Sequence, residues 1–293
     1  MDVPLSPWLP STQRAVVQSK DVVSAVALNH CDWKMPTRVP CPGAVDGSDY
    51  SGTVIAVGIT AALTSPFKVG DRVAGAQMAS QRRRPWAGTF TEYILEEADS
   101  AWLVPDNLSW EEAAAIDAQL PLAWPWRSAS GTFAIQLLKL SGYKVVITCS
   151  PKSFQLVESY GAEKAFYYYS STCGEDIRAY TNKSLECVLN LITETRTIRH
   201  CYAAIRRGGG RYCGFELLPD DLIATMRKSV KAEWVNGLEM TGLEIDLPGG
   251  YYRKANPELH QWFAELLKRF SRLIGEGKLR SHPIQVSQGD WKR

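Results

Sequence analysis

The chain has 293 residues, 45% of them hydrophobic, with 33 basic against 31 acidic side chains and a formal net charge of +2. That is enough apolar material for two domains, while so small a charge excess gives neither nucleic acid nor an anionic membrane surface a general field to bind. No stretch has the length and apolarity to span a bilayer, and the first fourteen residues lack a signal-peptide pattern, so the protein is expected in the cytoplasm.

Short β-rich segments punctuated by glycine fill the first hundred residues. Residues 53–57 predict a strand buried on both faces, since apolar side chains fall on either side of the alternation. A Val-Gly-Asp-Arg-Val segment follows at 69–73, and residues 89–95 predict another strand. The basic run Arg82-Arg83-Arg84 reads as a solvated loop. At Ser109 the pattern changes: with Glu112 three residues on it forms a capping-box signature, and a helix is expected over 111–116. Residues 131–140 predict a helix with Phe133, Leu137 and Leu140 on one face, followed by a strand over 144–149. A helix over 154–160 closes at Gly161, and strands are expected at 165–168, 187–191 and, after three glycines, 211–215. Residues 257–275 predict a long amphipathic helix with Trp262, Phe263, Leu266, Leu267 and Phe270 as its stripe. Helices alternating with short apolar strands are the pattern of a parallel α/β sheet. Seven cysteines, odd in number and without a C-x-x-C, and four scattered histidines predict neither a disulfide framework nor a bound metal.

Four motifs fall in the order of a known superfamily: Ala27-Leu-Asn-His-Cys-Asp-Trp-Lys34, Gly47-Ser-Asp-Tyr-Ser-Gly-Thr-Val54, Lys68-Val-Gly-Asp-Arg-Val73 and Gly88-Thr-Phe-Thr-Glu-Tyr93. With them the chain resembles the medium-chain dehydrogenase/reductases, in their zinc-free, quinone-oxidoreductase-like branch. Asp49-Tyr50 stands where the zinc enzymes carry a histidine-glutamate pair. The stretch Ile135-Gln-Leu-Leu-Lys-Leu-Ser-Gly-Tyr-Lys-Val-Val-Ile-Thr-Cys-Ser-Pro151 is similar to fungal trans-acting enoyl reductases of polyketide biosynthesis. The resemblance implies an α/β protein with a GroES-like β-rich domain at 1–108 and a Rossmann-type, doubly wound NADP-binding domain at 109–248. A segment returning to the first domain would follow at 249–293. The family places a first sheet strand and a glycine-rich turn before the helix that begins near Gly131. Here Leu120-Pro-Leu-Ala-Trp-Pro-Trp-Arg127 takes that place without an apolar strand, so some strands of the nucleotide fold are expected to be lacking. A shortened strand before Val22 and the stop at Arg293 are further departures, and together the three point to an imperfect gene model or a decayed copy.

An NAD site places an acid near the end of the second strand, about 20 residues beyond the turn. This chain has Ser150, Pro151, Lys152 and Ser153 there, whose positive charge and hydroxyls suit a 2′-phosphate, and NADP(H) is the expected cofactor. A solvated loop lysine beside capping serines is the plainer alternative. By resemblance, Ser128 and Ser130 stand at the pyrophosphate turn and Tyr168 contacts the 2′-phosphate end, unless it only packs with its aromatic neighbours. Phe215 and Glu216 approach the nicotinamide, Glu216 replacing an expected neutral amide. Cys31, Asp32, Trp33 and Lys34 lie on the nicotinamide side. Lys34 is the candidate catalytic residue, stabilising charge on a thioester oxygen, with a surface lysine as the alternative. Leu238, Glu239, Met240, Thr241 and Gly242 line the acyl channel, or form a plain loop.

The implied reaction is NADPH-dependent reduction of an α,β-unsaturated polyketide acyl thioester by a monomer. The implied partner is the acyl carrier domain of a highly reducing polyketide synthase or a synthase–peptide synthetase hybrid. A stand-alone quinone or enone reductase and a truncated non-catalytic relative are the alternatives.

Overall fold

The computed structural model describes residues 14–18, 24–38, 40–59, 61, 66–79, 84–117, 129–247 and 249–287. The chain divides into two compact units. The first gathers residues 1–122, 240–243 and 256–293; the second gathers 123–239 and 244–255. Among the described residues no helix is long and apolar enough to cross a membrane.

The first unit is built on an antiparallel sheet of six strands: β1 (Arg14–Gln18), β2 (Ala25–Ala27), β3 (Asp49–Val57), β4 (Arg72–Ala76), β5 (Tyr93–Glu97) and β6 (Ala101–Leu103). The order is β5-β1-β3-β4-β6, with β2 also paired to β3. The central β3 is covered on both faces over its first four residues, but Ile55 emerges at 38% exposure. The expected two-sided burial of 53–57 therefore holds only upstream, where Tyr50, Val54 and Val73 join Phe67 and Ile94 in the core. The strand read at 89–95 begins later, at Tyr93, because residues 89–92 bend as Thr89 and Phe90 donate their amides to Gly47 and Asp46.

A helix that the sequence pattern did not reveal, α1 (His30–Arg38), follows β2 and accommodates Pro36. Helix α2 (Trp110–Asp117) starts as expected: the Glu112 amide donates to Ser109 Oγ at 3.1 Å and the Ser109 amide to the Glu112 carboxylate at 3.0 Å. The Ser51 hydroxyl donates to the Trp110 carbonyl, fixing α2 on β3.

The second unit holds α3 (Ala129–Leu140), β7 (Val146–Cys149), α4 (Phe154–Ser159), β8 (Lys164–Tyr167), α5 (Cys173–Tyr180), β9 (Cys187–Asn190), α6 (Thr195–Ala204), β10 (Gly210–Gly214), α7 (Asp220–Ala224) and β11 (Val230–Trp234). Helix α8 (Pro257–Gly275) returns to the first unit. It buries Phe263, Leu267, Phe270 and Ile274, whereas Trp262 is 55% exposed and lies off the stripe. In α3 the buried face carries Phe133, Ile135 and Gln136; Leu140 is exposed in the last turn.

All strand pairs of the second unit are parallel, yet they form two sheets, β7-β8 and β9-β10-β11. Among the described residues no strand joins β7 to β9. A strand in the middle of a parallel sheet is buried on both faces. Here Thr148 of β7 is exposed, as are Cys187 and Leu189 of β9, the latter by 40%. The start of α3 lies over this junction: a Cβ at Gly131 would stand 3.6 Å from Leu191 Cδ1 and 4.0 Å from Ile147 Cδ1. The α/β signature is thus present, in two parallel sheets among the described residues.

Candidate functional site

In the first unit the nicotinamide-side candidates fall on the opening turns of α1. Asp32 is buried and accepts from the Ser48 hydroxyl at 2.7 Å and the Asn29 amide at 2.7 Å. Burial raises its carboxyl above the ordinary range, and the bonds from Ser48 and Asn29 act against that shift. Asn29 also donates its side chain to the buried Asp49. The Cys31 thiol, 3.4 Å from Ser48 Oγ, is pushed up to about 12 by burial and then by Asp32. It stays protonated at neutral pH and is no nucleophile. Cys31 and Asp32 therefore join α1 to the turn at Gly47-Ser48. Trp33 is 60% exposed, and the Lys34 ammonium lies 5.3 Å from its ring centroid. These two side chains form the accessible face of the motif.

In the second unit β7 ends at Cys149, and a single 3-10 turn over Pro151–Ser153 leads into α4. Ser150 and Ser153 bring their hydroxyls to 3.2 Å of one another, with Lys152 exposed between them. Tyr168 follows β8, and its amide reaches the Cys149 carbonyl at 3.5 Å, so it sits beside the serine-lysine turn. Its ring centroid lies 4.4 Å from that of Tyr169. The Arg196 guanidinium stacks 3.9 Å over Tyr169 and stands 6.0 Å from Tyr168. Sequence reasoning passed over Arg196, because nothing in a polar helix start marks its aromatic partners. Ser128 lies outside the described residues; Ser130 is in the first turn of α3, half-buried.

Phe215 follows β10, its amide donating to the Asn190 carbonyl and to Thr193 Oγ1, each at 3.2 Å. Glu216 accepts from the Leu217 amide at 3.0 Å and from the Tyr251 hydroxyl. The charge that departs from the expected amide is thus engaged by donors of its own unit. Beneath this loop the buried Asn190 donates to Tyr212 Oη at 2.9 Å and to Thr197 Oγ1 at 3.0 Å.

Residues Gly237–Thr241 form a 3-10 turn. Its first part belongs to the second unit: Leu238 donates its amide to Asn236 Oδ1, and Glu239 pairs with Arg253 at 3.3 Å. Met240–Leu243 belong to the first unit. The sequence also gave no sign of the groups around them. His260 Nδ1 lies 2.9 Å from the Met240 carbonyl and Nε2 lies 3.0 Å from Asp99 Oδ2. Glu97 lies with these groups but pairs with Arg84 at 3.0 Å. Both ring nitrogens of His260 face acceptors, so it serves as a double donor with no lone pair free for a metal. Nearby, Met78, Trp86, Leu95, Thr241 and Leu243 line a cavity of about 40 Å³, room for a water molecule or two rather than for an acyl chain.

The Ser150-Lys152-Ser153 turn presents one cation and two hydroxyls at the carboxyl end of β7, with the Tyr168 amide against the Cys149 carbonyl, a donor set that fits a phosphate group. The start of α3, where a Cβ at Gly131 would meet Ile147 of β7 and Leu191 after β9, is a helix N-terminus, a place that suits a pyrophosphate.

Residues 22–106 match the family described as alcohol dehydrogenase GroES-like domain, and residues 129–242 match zinc-binding dehydrogenase. The chain is 67% identical over 331 aligned residues to trans-enoyl reductase gkaC of Penicillium citrinum, covering 96% of this chain and 92% of that one. It is 62% identical to trans-enoyl reductase xenG of Xenoacremonium sinensis, covering 97% and 90%. The gkaC alignment is longer than the 293 residues of this chain, so that relative carries segments that are missing here within the matched span. Among solved structures, the CurK enoyl reductase superposes with a TM-score of 0.69 at 16% identity, over 96% of this chain and 85% of that one. The mycobacterial protein Rv1454c complexed with NADPH gives 0.64 at 18%, over 94% and 84%. At these identities the structures establish the shared fold.

Proposed function

The chain belongs to the trans-enoyl reductases, within the medium-chain dehydrogenase/reductase superfamily, and from that premise we propose that it reduces α,β-unsaturated polyketide acyl thioesters with NADPH. The identity of 67% spread over 96% of the chain carries this reading. The acyl group would arrive on the carrier domain of a polyketide synthase, the sense in which such a reductase acts in trans.

When bound, NADPH would supply the hydride that adds to the β-carbon, the α-carbon then taking up a proton. The protein's own residues bind and orient. Lys152, Ser150 and Ser153 would hold the 2′-phosphate, Tyr168 would pack beside it, and the amides at the start of α3 would receive the pyrophosphate. Trp33 and Lys34 offer an apolar face and a cation from which Lys34 would stabilise charge developing on the thioester oxygen. Leu238–Gly242 would line the acyl site. None of these groups is a nucleophile, in keeping with a reaction that needs orientation rather than covalent catalysis.

The test is NADPH oxidation by the full chain with an α,β-unsaturated acyl thioester carried on a synthase carrier domain, with the same acyl group on free pantetheine, and with a small enone. Faster turnover of the carried substrate supports the reading. Equal turnover of the free enone would instead describe a stand-alone enone reductase.

A further inference from the structure

We propose that His260 is a positioning residue for the acyl substrate, holding Met240, Thr241 and Gly242 in place from the first turns of α8. This inference rests on the reading that residues 238–242 line the acyl site.

Only Met240–Leu243 of their stretch of chain belong to the first unit; Glu239 and Glu244 on either side belong to the second. So short a segment has no core of its own and needs fixed contacts. Three converge on it. The Met240 carbonyl lies 2.9 Å from His260 Nδ1, and the Asn256 amide donates to the Gly242 carbonyl at 3.0 Å. Asn256 is also the N-cap of α8, accepting from the Leu259 amide at 3.1 Å, so its own position is set by the helix. Third, Gly242 packs directly on the histidine: it holds φ +69°, and a Cβ there would stand 2.7 Å from His260 Cβ. The absence of a side chain at Gly242 is what lets the segment approach so closely.

His260 itself is anchored by Asp99, 3.0 Å from Nε2, and is 14% exposed. Both of its nitrogens must donate for both contacts to exist, which requires the imidazolium. A neutral ring has one N–H, which stays with the stronger acceptor, the Asp99 carboxylate, so on deprotonation the Met240 carbonyl faces a lone pair. Among the described residues the charged groups around the ring are Glu97 at the end of β5 with its partner Arg84, Asp99 just beyond that strand, and Lys268 from α8, which acts on Asp99. The bond to Asp99 first, then that to the Met240 carbonyl, holds the imidazole up at about 9, against the opposing effect of burial. Asp99 is correspondingly held below the ordinary carboxylate range, chiefly by His260. The segment is thus fixed at neutral pH and loses one of its ties in alkaline solution.

Two near-isosteric variants separate the two bonds. In His260→Asn the amide nitrogen takes the place of Nδ1 and keeps the Met240 bond. In His260→Gln it takes the place of Nε2 and keeps only Asp99. With the full chain, NADPH and an α,β-unsaturated acyl pantetheine, His260→Gln should raise KM about tenfold, the effect of one positioning hydrogen bond, while kcat and NADPH affinity change by no more than about twofold. His260→Asn should stay near the wild-type KM. The wild-type KM should rise above pH about 9, and that rise should vanish in His260→Asn. Equal KM in all three proteins at neutral pH, or a wild-type KM flat through pH about 10, would overturn the inference while leaving the enoyl reductase intact. Wild-type protein that is folded but neither binds NADPH nor turns over the thioester would overturn the proposed function, and this inference with it.

Discussion

Replacing Lys152 with alanine should change which nicotinamide cofactor the chain prefers without changing how it folds. The side chain is exposed at the tip of the turn after β7 and pairs with no charged group among the described residues, so its removal disturbs little packing. Opposite a 2′-phosphate it would make a charge-assisted contact. Solvent screening limits such a contact at an exposed position to the lower part of the usual range, about 1–1.5 kcal/mol. That corresponds to roughly tenfold in Kd. Titration calorimetry of wild type and Lys152→Ala with NADPH and NADH reads this directly. NADPH should weaken about tenfold and NADH by less than about twofold, because NADH has no phosphate to lose. Equal weakening of both cofactors, or none of either, would refute the placement of the 2′-phosphate at this turn.

Three further outcomes follow from buried or capped groups. Tyr212→Phe removes one of the two acceptors of the buried Asn190 amide and should lower stability by about 1–2 kcal/mol in urea unfolding, with the m-value unchanged. Ser109→Ala breaks the reciprocal capping pair at the start of α2 and should cost about 1 kcal/mol, read the same way, while NADPH affinity stays put. His260 has a folded pKa raised above its unfolded value. Its contribution to stability is therefore complete below the ordinary imidazole range and is lost as pH rises through about 9. Thermal unfolding of wild type should accordingly fall toward that of His260→Ala as pH climbs through this window, and a constant gap between them would count against the ion pair.

Local patterns carried the sequence reading where the controlling forces are local. The capping box at Ser109 and Glu112 formed as read, and α8 spans the residues its period marked, since an amphipathic stripe over nineteen residues admits few alternatives. Short segments were harder. The polar run from His30 to Arg38 contains Pro36 and gives no helical stripe, yet it folds as α1, with its buried Asp32 tied to Ser48. Helices α5 and α6 were also passed over, being short and rich in charge, and are held by Cys173, Ile177 and Ala204 packing together. The sequence before Ser128 lacks an apolar strand pattern, and among the described residues the parallel strands form two sheets. The candidate site divides the same way. Cys31–Lys34 and Ser150–Ser153 could be placed from contiguous motifs. Arg196 and the Asp99-His260-Met240 contact depend on residues far apart in the chain, and single-sequence reasoning has no access to those.

The divided sheet makes cofactor binding the decisive step, for everything chemical lies downstream of it. The most direct measurement is calorimetric titration of the purified, folded chain with NADPH and with NADH. Saturable binding that prefers NADPH is the result predicted from Ser150, Lys152, Ser153 and Tyr168 at the ends of β7 and β8. A folded chain that binds neither cofactor would contradict the reductase reading for this protein.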